Sequence, residues 1–244
     1  MTVSSRHTST PIMLIPGYWL GSWAFDSVTA RLNSLGHPAY GVTLPGLASP
    51  QVSRESIHFS QHVEYVTEML KAVHTPVVLV AHSGAGAVAT AVADAIPQVL
   101  KRIIYVDSGP VSSGMIPRPD LSPKGIELPF PGFDALRASG ASTVGLSSHE
   151  MSHIAARAVP HPVGAICEPV ELHHEQRHHV PATMVCCSVS SATVRQLASA
   201  GQAMFAPLND LTDLTLLDLR TGHWPMFSES YRLANLIAQE ADRP

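Results

Sequence analysis

Ala81-His82-Ser83-Gly84-Ala85-Gly86 constrains this chain more than any other stretch. It follows the apolar run Pro76-Val77-Val78-Leu79-Val80 and precedes an Ala/Val-rich segment, residues 86–96, that predicts a helix. A strand that feeds a helix through so few residues needs a sharp turn. Side chains two before and two after the serine would collide with neighbouring backbone, which favours a Gly-x-Ser-x-Gly pattern. Here alanines stand at both flanks, positions 81 and 85, so the pattern is missed by one methyl group at each end. Ser83, at the apex of such a turn, is a candidate nucleophile.

Strand and helix alternate around that turn. Residues 11–15 predict a buried strand opening on Pro16-Gly17. Residues 24–35 predict a helix, with Phe25, Val28, Leu32 and Leu35 at helical spacing and Gly36 as its terminator. A short strand at 39–44 stops at Pro45-Gly46, and 57–73 form an amphipathic helix with Val63, Val66, Met69, Leu70 and Val73 on one face. Strand 77–81, helix 84–96 and strand 102–106 follow. The rhythm returns with strand 182–187, helix 191–204, strand 213–219 and a last helix at 228–240. Such alternation predicts an α/β fold with a mostly parallel sheet and helices on both faces. Between the two runs, residues 108–180 hold many of the 20 prolines and half of the 14 histidines, with short helices predicted at 133–139 and 148–158. The expected organisation is a core of residues 1–111 and 181–244, with residues 112–180 inserted as a lid.

Bulk properties exclude several classes. A chain of 244 residues suits one domain with or without a lid, and 45% hydrophobic with 14% charged residues is ordinary for a globule. The net charge is −4 and no basic block is present, which argues against a nucleic-acid partner. Met1 to Thr10 is polar and lacks the apolar region of a signal peptide, and no stretch approaches the length of a membrane span. The three cysteines are Cys167 and the adjacent Cys186 and Cys187, an odd count that fits a reducing compartment better than a disulfide framework. A cytoplasmic monomer or homodimer acting on a small molecule, with no cofactor, no metal and no membrane partner, is expected.

A serine hydroxyl is a weak nucleophile near neutral pH and needs a base within hydrogen-bond reach. Thr221-Gly222-His223-Trp224-Pro225 follows directly on the last predicted strand, and His223 is the candidate base. These pieces together resemble the α/β-hydrolase superfamily. The nearest branch is the compact one of plant methylesterases, hydroxynitrile lyases and pyrethroid-hydrolase-like bacterial esterases. The resemblance rests on LIPGYWLGSWAFDSV (14–28), LNSLGHPAYGVTLPGLA (32–48), VVLVAHSGAGAV (77–88), RIIYVDSGPVSSGM (102–115) and TGHWPMF (221–227). It covers roughly the first half and the C-terminal segment, and it implies the α/β-hydrolase fold and an ester or lactone hydrolase.

In that fold the triad runs Ser, acid, His along the chain. The resemblance places the acid in the loop after strand 182–187, but Ser188-Val189-Ser190-Ser191-Ala192 holds no carboxylate. The alternative position is the end of the strand that follows the elbow helix, where Asp107 stands in Tyr105-Val106-Asp107-Ser108-Gly109. Asp107 would then leave the carboxyl edge of a central strand, where open α/β sheets build their sites. An oxyanion hole needs two backbone N–H groups. Gly84 and Tyr18 are the expected donors, with Gly17 and Gly21 allowing close passage of the loop after the first strand. Trp19, Trp224 and Met226 flank these loops and are expected to wall an apolar substrate pocket.

Other signals carry less. His173-His174-Glu175-Gln176-Arg177-His178-His179 lacks the ligand spacing of a zinc site and reads as a solvated lid segment. Cys186-Cys187 and His82 read as packing residues. Three functions remain open. One is hydrolysis of an apolar ester or lactone. Another is a non-hydrolytic lyase or cofactor-free dioxygenase with His223 as base, and the third a receptor-like binder.

Overall fold

The structure, a computed structural model, describes residues 9–244, so the polar segment expected to carry no signal peptide lies mostly outside the described residues. Strand β1 (Ile12–Ile15) opens the chain, followed by helix α1 (Asp26–Ser34) and strand β2 (Ala39–Gly41). Helix α2 (Phe59–Lys71), strand β3 (Val77–His82), helix α3 (Ala85–Ala95) and strand β4 (Leu100–Val106) complete the first half. After a long excursion come β7 (Ala182–Cys186), α7 (Ser191–Ser199), β8 (Leu214–Asp218), the single turn α8 (Pro225–Ser228) and α9 (Ser230–Ala241). These strands form a six-stranded sheet in the order β2-β1-β3-β4-β7-β8, with every pairing parallel.

Both faces of the sheet are buried, and the period of two along each strand sorts its residues between two cores. Met13, Ile15, Val77, Leu79, Ile103 and Tyr105 join the core shared with α2, α3 and α7. Ile12, Leu14, Val78, Val80, Ile104 and Val106 face the opposite way, toward α1 and α9. The apolar runs Ile12–Ile15, Val77–Ala81 and Ile103–Val106 follow from this double burial. Gly36 terminates α1 at φ +94°, and the His37 N–H closes back onto the Leu32 carbonyl, as a C′ glycine does.

Three predicted helices end differently from their periodicity. The segment predicted as helix 24–35 begins as a 3₁₀ turn over Ser22–Phe25. Helix 191–204 ends at Ser199, where Gly201 takes φ +70°. The helix predicted at 228–240 is α9, Ser230–Ala241; Ser228 instead ends the separate turn α8 that Pro225 starts, and Glu229, at φ −141° and ψ 37°, breaks the two apart.

The excursion between β4 and β7 adds nothing to the main sheet. It forms α4 (Phe133–Ala138), α5 (Ser148–Arg157) and α6 (Gly164–Cys167), and β5 (Glu127–Leu128) pairs antiparallel with β6 (His161–Pro162). It is anchored by packing: Ile154 and Val170 are fully buried in the two cores. Arg54 ties it to the main body. Its buried guanidinium donates to the carbonyls of Ser49, Val52 and Pro160 and pairs with Glu127 at 3.2 Å. No helix among the described residues is long and apolar enough to cross a membrane.

Candidate active site

Ser83 follows β3 directly and opens the turn into α3. Its φ is +54°, a left-handed conformation that L residues avoid. Trp19 at +66° and Asp107 at +44° are the other non-glycine residues with positive φ among those described. All three sit at the carboxyl edge of the sheet, around one point, and strain of this kind gathers where geometry is functionally constrained. Neighbouring contacts over-determine the turn: the Ser83 N–H donates to the Val106 carbonyl at 3.2 Å, and the Ser108 hydroxyl donates to the Ser83 carbonyl at 2.5 Å.

Small residues make room for it. A Cβ on Gly17 would lie 2.9 Å from the Ser83 Cβ, and one on Gly86 would lie 2.6 Å from the Gly109 carbonyl oxygen. A Cβ on Gly84 would enter the Tyr18 ring at 2.3 Å. The flanking Ala81 and Ala85 are buried, so methyl groups are accommodated there.

The three residues expected to act together are in contact. The Ser83 hydroxyl donates to His223 Nε2 at 2.8 Å, and His223 Nδ1–H donates to Asp107 Oδ2 at 2.6 Å. Asp107 is one residue beyond Val106, which pairs with His82, so parallel register sets serine and carboxylate on adjacent strands at the same edge. The carboxylate is fully engaged. The Cys187 and Ser188 N–H groups donate to Oδ1 at 3.1 and 2.9 Å, and the Ser188 hydroxyl donates to Oδ2 at 2.6 Å. Burial pulls the Asp107 carboxyl upward, but the hydrogen bond and charge of His223 and the bonds from Ser188 outweigh it and hold the group down at about 2.

His82 links three loops. Its Nδ1 accepts the Gly17 N–H at 3.3 Å, and its Nε2–H donates to the His223 carbonyl at 2.7 Å. Burial, followed by the nearby His223 imidazole, lowers it to about 3, so the ring stays neutral with the proton on Nε2. It is therefore more than the packing residue its position suggests. Ser188 too lies outside the sequence reading; the only signal was a small polar residue where a carboxylate was sought.

The expected oxyanion donors stand beside Ser83. Among the described residues, neither the Tyr18 nor the Gly84 N–H donates to another protein group. Trp19 and Trp224 line a 160 Å³ cavity over Ser83, together with Tyr18, Leu136, Ala141 and His223. Met226 does not act as a wall. It is 1% exposed and packs in the core with Val28 and Leu233, because the turn α8 points it inward. A second cavity of 340 Å³ adjoins the first, with His223 and Ala141 common to both. Leu136 and residues 139–142 come from the excursion, which thereby forms one side of the site.

The remaining sequence signals are structural. No group of three or more His, Cys, Asp or Glu able to hold a metal occurs among the described residues. The histidine-rich segment is a 3₁₀ turn, Glu175–His179, clamped by Asp94, which accepts the His173 and His174 N–H groups and pairs with Arg177 at 3.2 Å. Cys186 and Cys187 are buried free thiols, and Cys167 is also unbridged.

Known proteins share this architecture. An extracellular α/β-hydrolase from a Paenibacillus species superposes with a TM-score of 0.75 at 16% identity, covering 96% of this chain and 100% of that one. A pyrethroid hydrolase from Sphingobium faniae JZ-2 superposes with a TM-score of 0.70 at 18% identity, covering 96% and 98% of the two chains. At these identities the likeness is one of fold. A carbendazim-hydrolysing esterase of Nocardioides sp. (strain SG-4G) is 31% identical over 98 residues, 39% of this chain and 40% of that protein, so the match spans less than half of that relative's length. The alpha/beta hydrolase family matches residues 12–236, nearly the whole of the strand-and-helix alternation described above, and the chain belongs to that family.

Proposed function

We propose that the protein is a serine hydrolase that cleaves a small-to-medium, apolar carboxylic ester or lactone through an acyl-enzyme. The observation that carries this reading is the unbroken hydrogen-bond chain from Ser83 through His223 to Asp107, at 2.8 and 2.6 Å, beside an apolar cavity. Ser83 Oγ attacks the carbonyl carbon as its proton passes to His223 Nε2, and the Tyr18 and Gly84 N–H groups receive the developing oxyanion. The carbon–alkoxy bond then breaks, and the imidazolium gives its proton to the departing oxygen. Water repeats the sequence on the acyl-enzyme: its proton goes to His223, the bond to Ser83 breaks, and the serine is reprotonated. Ester and water have become acid and alcohol. Asp107 holds the His223 tautomer and offsets the imidazolium charge. The names esterase and hydrolase borne by the two relatives point the same way.

A fluorophosphonate probe tests this reading. It is expected to label Ser83 alone, and slow esters are expected to leave an acyl adduct on the peptide containing that residue, read by mass spectrometry. Labelling that persists in Ser83→Ala would overturn it. So would substrate turnover without any adduct in wild type, the behaviour of a lyase or dioxygenase that uses His223 only as base.

A further inference from the structure

Resting on the hydrolase reading above, we propose that the two adjoining cavities divide the substrate unequally. The acyl group occupies the small cavity over Ser83, and a longer, flexible apolar alcohol portion occupies the large one. The sizes differ by a factor of two, 160 against 340 Å³. Their walls also differ. The small cavity is bounded by Ser83 and the buried indoles of Trp19 and Trp224, side chains held in place by packing. The large cavity does not touch Ser83; its apolar wall is Met184, Val189, Phe205 and Leu208, and its polar side carries His223, Asp107 and serines.

Chemistry decides which half goes where. The carbonyl carbon must meet Ser83 Oγ, with its oxygen at the Tyr18 and Gly84 amides, and Ser83 and Tyr18 border the small cavity. The leaving oxygen must be protonated by His223, so the alcohol departs on the His223 side. His223 and Ala141 are the residues that line both cavities. Methionine side chains adapt to flexible ligands better than tryptophan rings do, and Met184 and Met204 both line the large cavity. Met204, 78% exposed, gives the large cavity a second methionine at the surface.

Hexyl acetate and ethyl hexanoate are isomers that differ only in which side of the ester carries the long chain. Hexyl acetate is expected to show the higher kcat/KM by at least about tenfold, the scale of one or two methylenes gained in an apolar pocket. Val189→Trp, which fills the large cavity, is expected to collapse that ratio. Met204→Glu alters an exposed side chain and leaves the fold untouched; it is expected to lower the ratio by several fold. A ratio near one, or reversed, in an enzyme labelled at Ser83 overturns the assignment and spares the hydrolase reading. A labelled enzyme that turns over neither isomer does the same. Absence of both label and turnover overturns the hydrolase reading and the assignment with it.

Discussion

At the scale of single residues, the site depends on one carboxylate whose every lone-pair direction is used. Asp107→Asn keeps shape and volume but replaces the charge at His223 Nδ1 with an amide, which favours the wrong imidazole tautomer. The expected loss in kcat is up to about 10⁴-fold with an unchanged circular dichroism spectrum. Near-normal activity in that variant, with loss in Asp210→Asn or Asp213→Asn instead, would move the acid elsewhere. Ser188→Ala removes one of four hydrogen bonds to the same carboxylate. It is expected to cost about tenfold in kcat, the scale of one charge-assisted hydrogen bond, with KM little changed. Steady-state kinetics on a single ester separates the two effects.

At the scale of elements, the excursion between β4 and β7 is held by apolar packing and by buried charge rather than by sheet. Asp94 is 7% exposed on its side chain and satisfies two backbone N–H groups and Arg177 of the histidine-rich turn. Asp94→Asn leaves Arg177 only the exposed Glu175 at 3.8 Å as counter-charge, and breaking a largely buried pair costs up to about 3–5 kcal/mol. The segment around Glu175–His179 is then expected to open locally and to be cut by trypsin at Arg177 well before the sheet unfolds. Cleavage kinetics identical to wild type would show that the clamp contributes little.

At the scale of the whole molecule, stability is tied to pH through buried imidazoles. Burial lowers His62 to about 4 and His82 to about 3, and it pushes His161 well below its ordinary value. In the unfolded chain these rings protonate below about 6.5. Between that value and about 4 the unfolded state holds more protons than the folded one. Stability is therefore complete above about 6.5 and falls as the pH drops, with a slope approaching about 1.4 kcal/mol per pH unit for each ring. Asp107, depressed to about 2, acts in the same direction only at lower pH, below its ordinary 3.8. Urea midpoints measured at pH 8.5, 7.5 and 5 are expected to be alike at the first two and clearly lower at the third; a flat series would contradict neutral burial of these histidines.

The sequence by itself determined what is local. Alternating apolar runs and helical faces specified the parallel sheet, because burial on two faces leaves a period that can be read directly. Small residues around Ser83 specified the sharp turn, because sterics there act over four or five positions. His223 was legible for the same reason, as a loop residue directly after a strand. Tertiary structure alone decided what depends on contacts between distant segments. Asp107 was a choice among carboxylates until parallel register brought the ends of β3 and β4 together and Ser188 came across from the loop after β7. Met226 was expected in the pocket because it is near His223 in sequence, yet the direction of one helical turn sends it into the core. The bridge made by His82, and the large cavity beside His223, join residues more than a hundred positions apart in the chain, and no periodicity or motif records which of them meet.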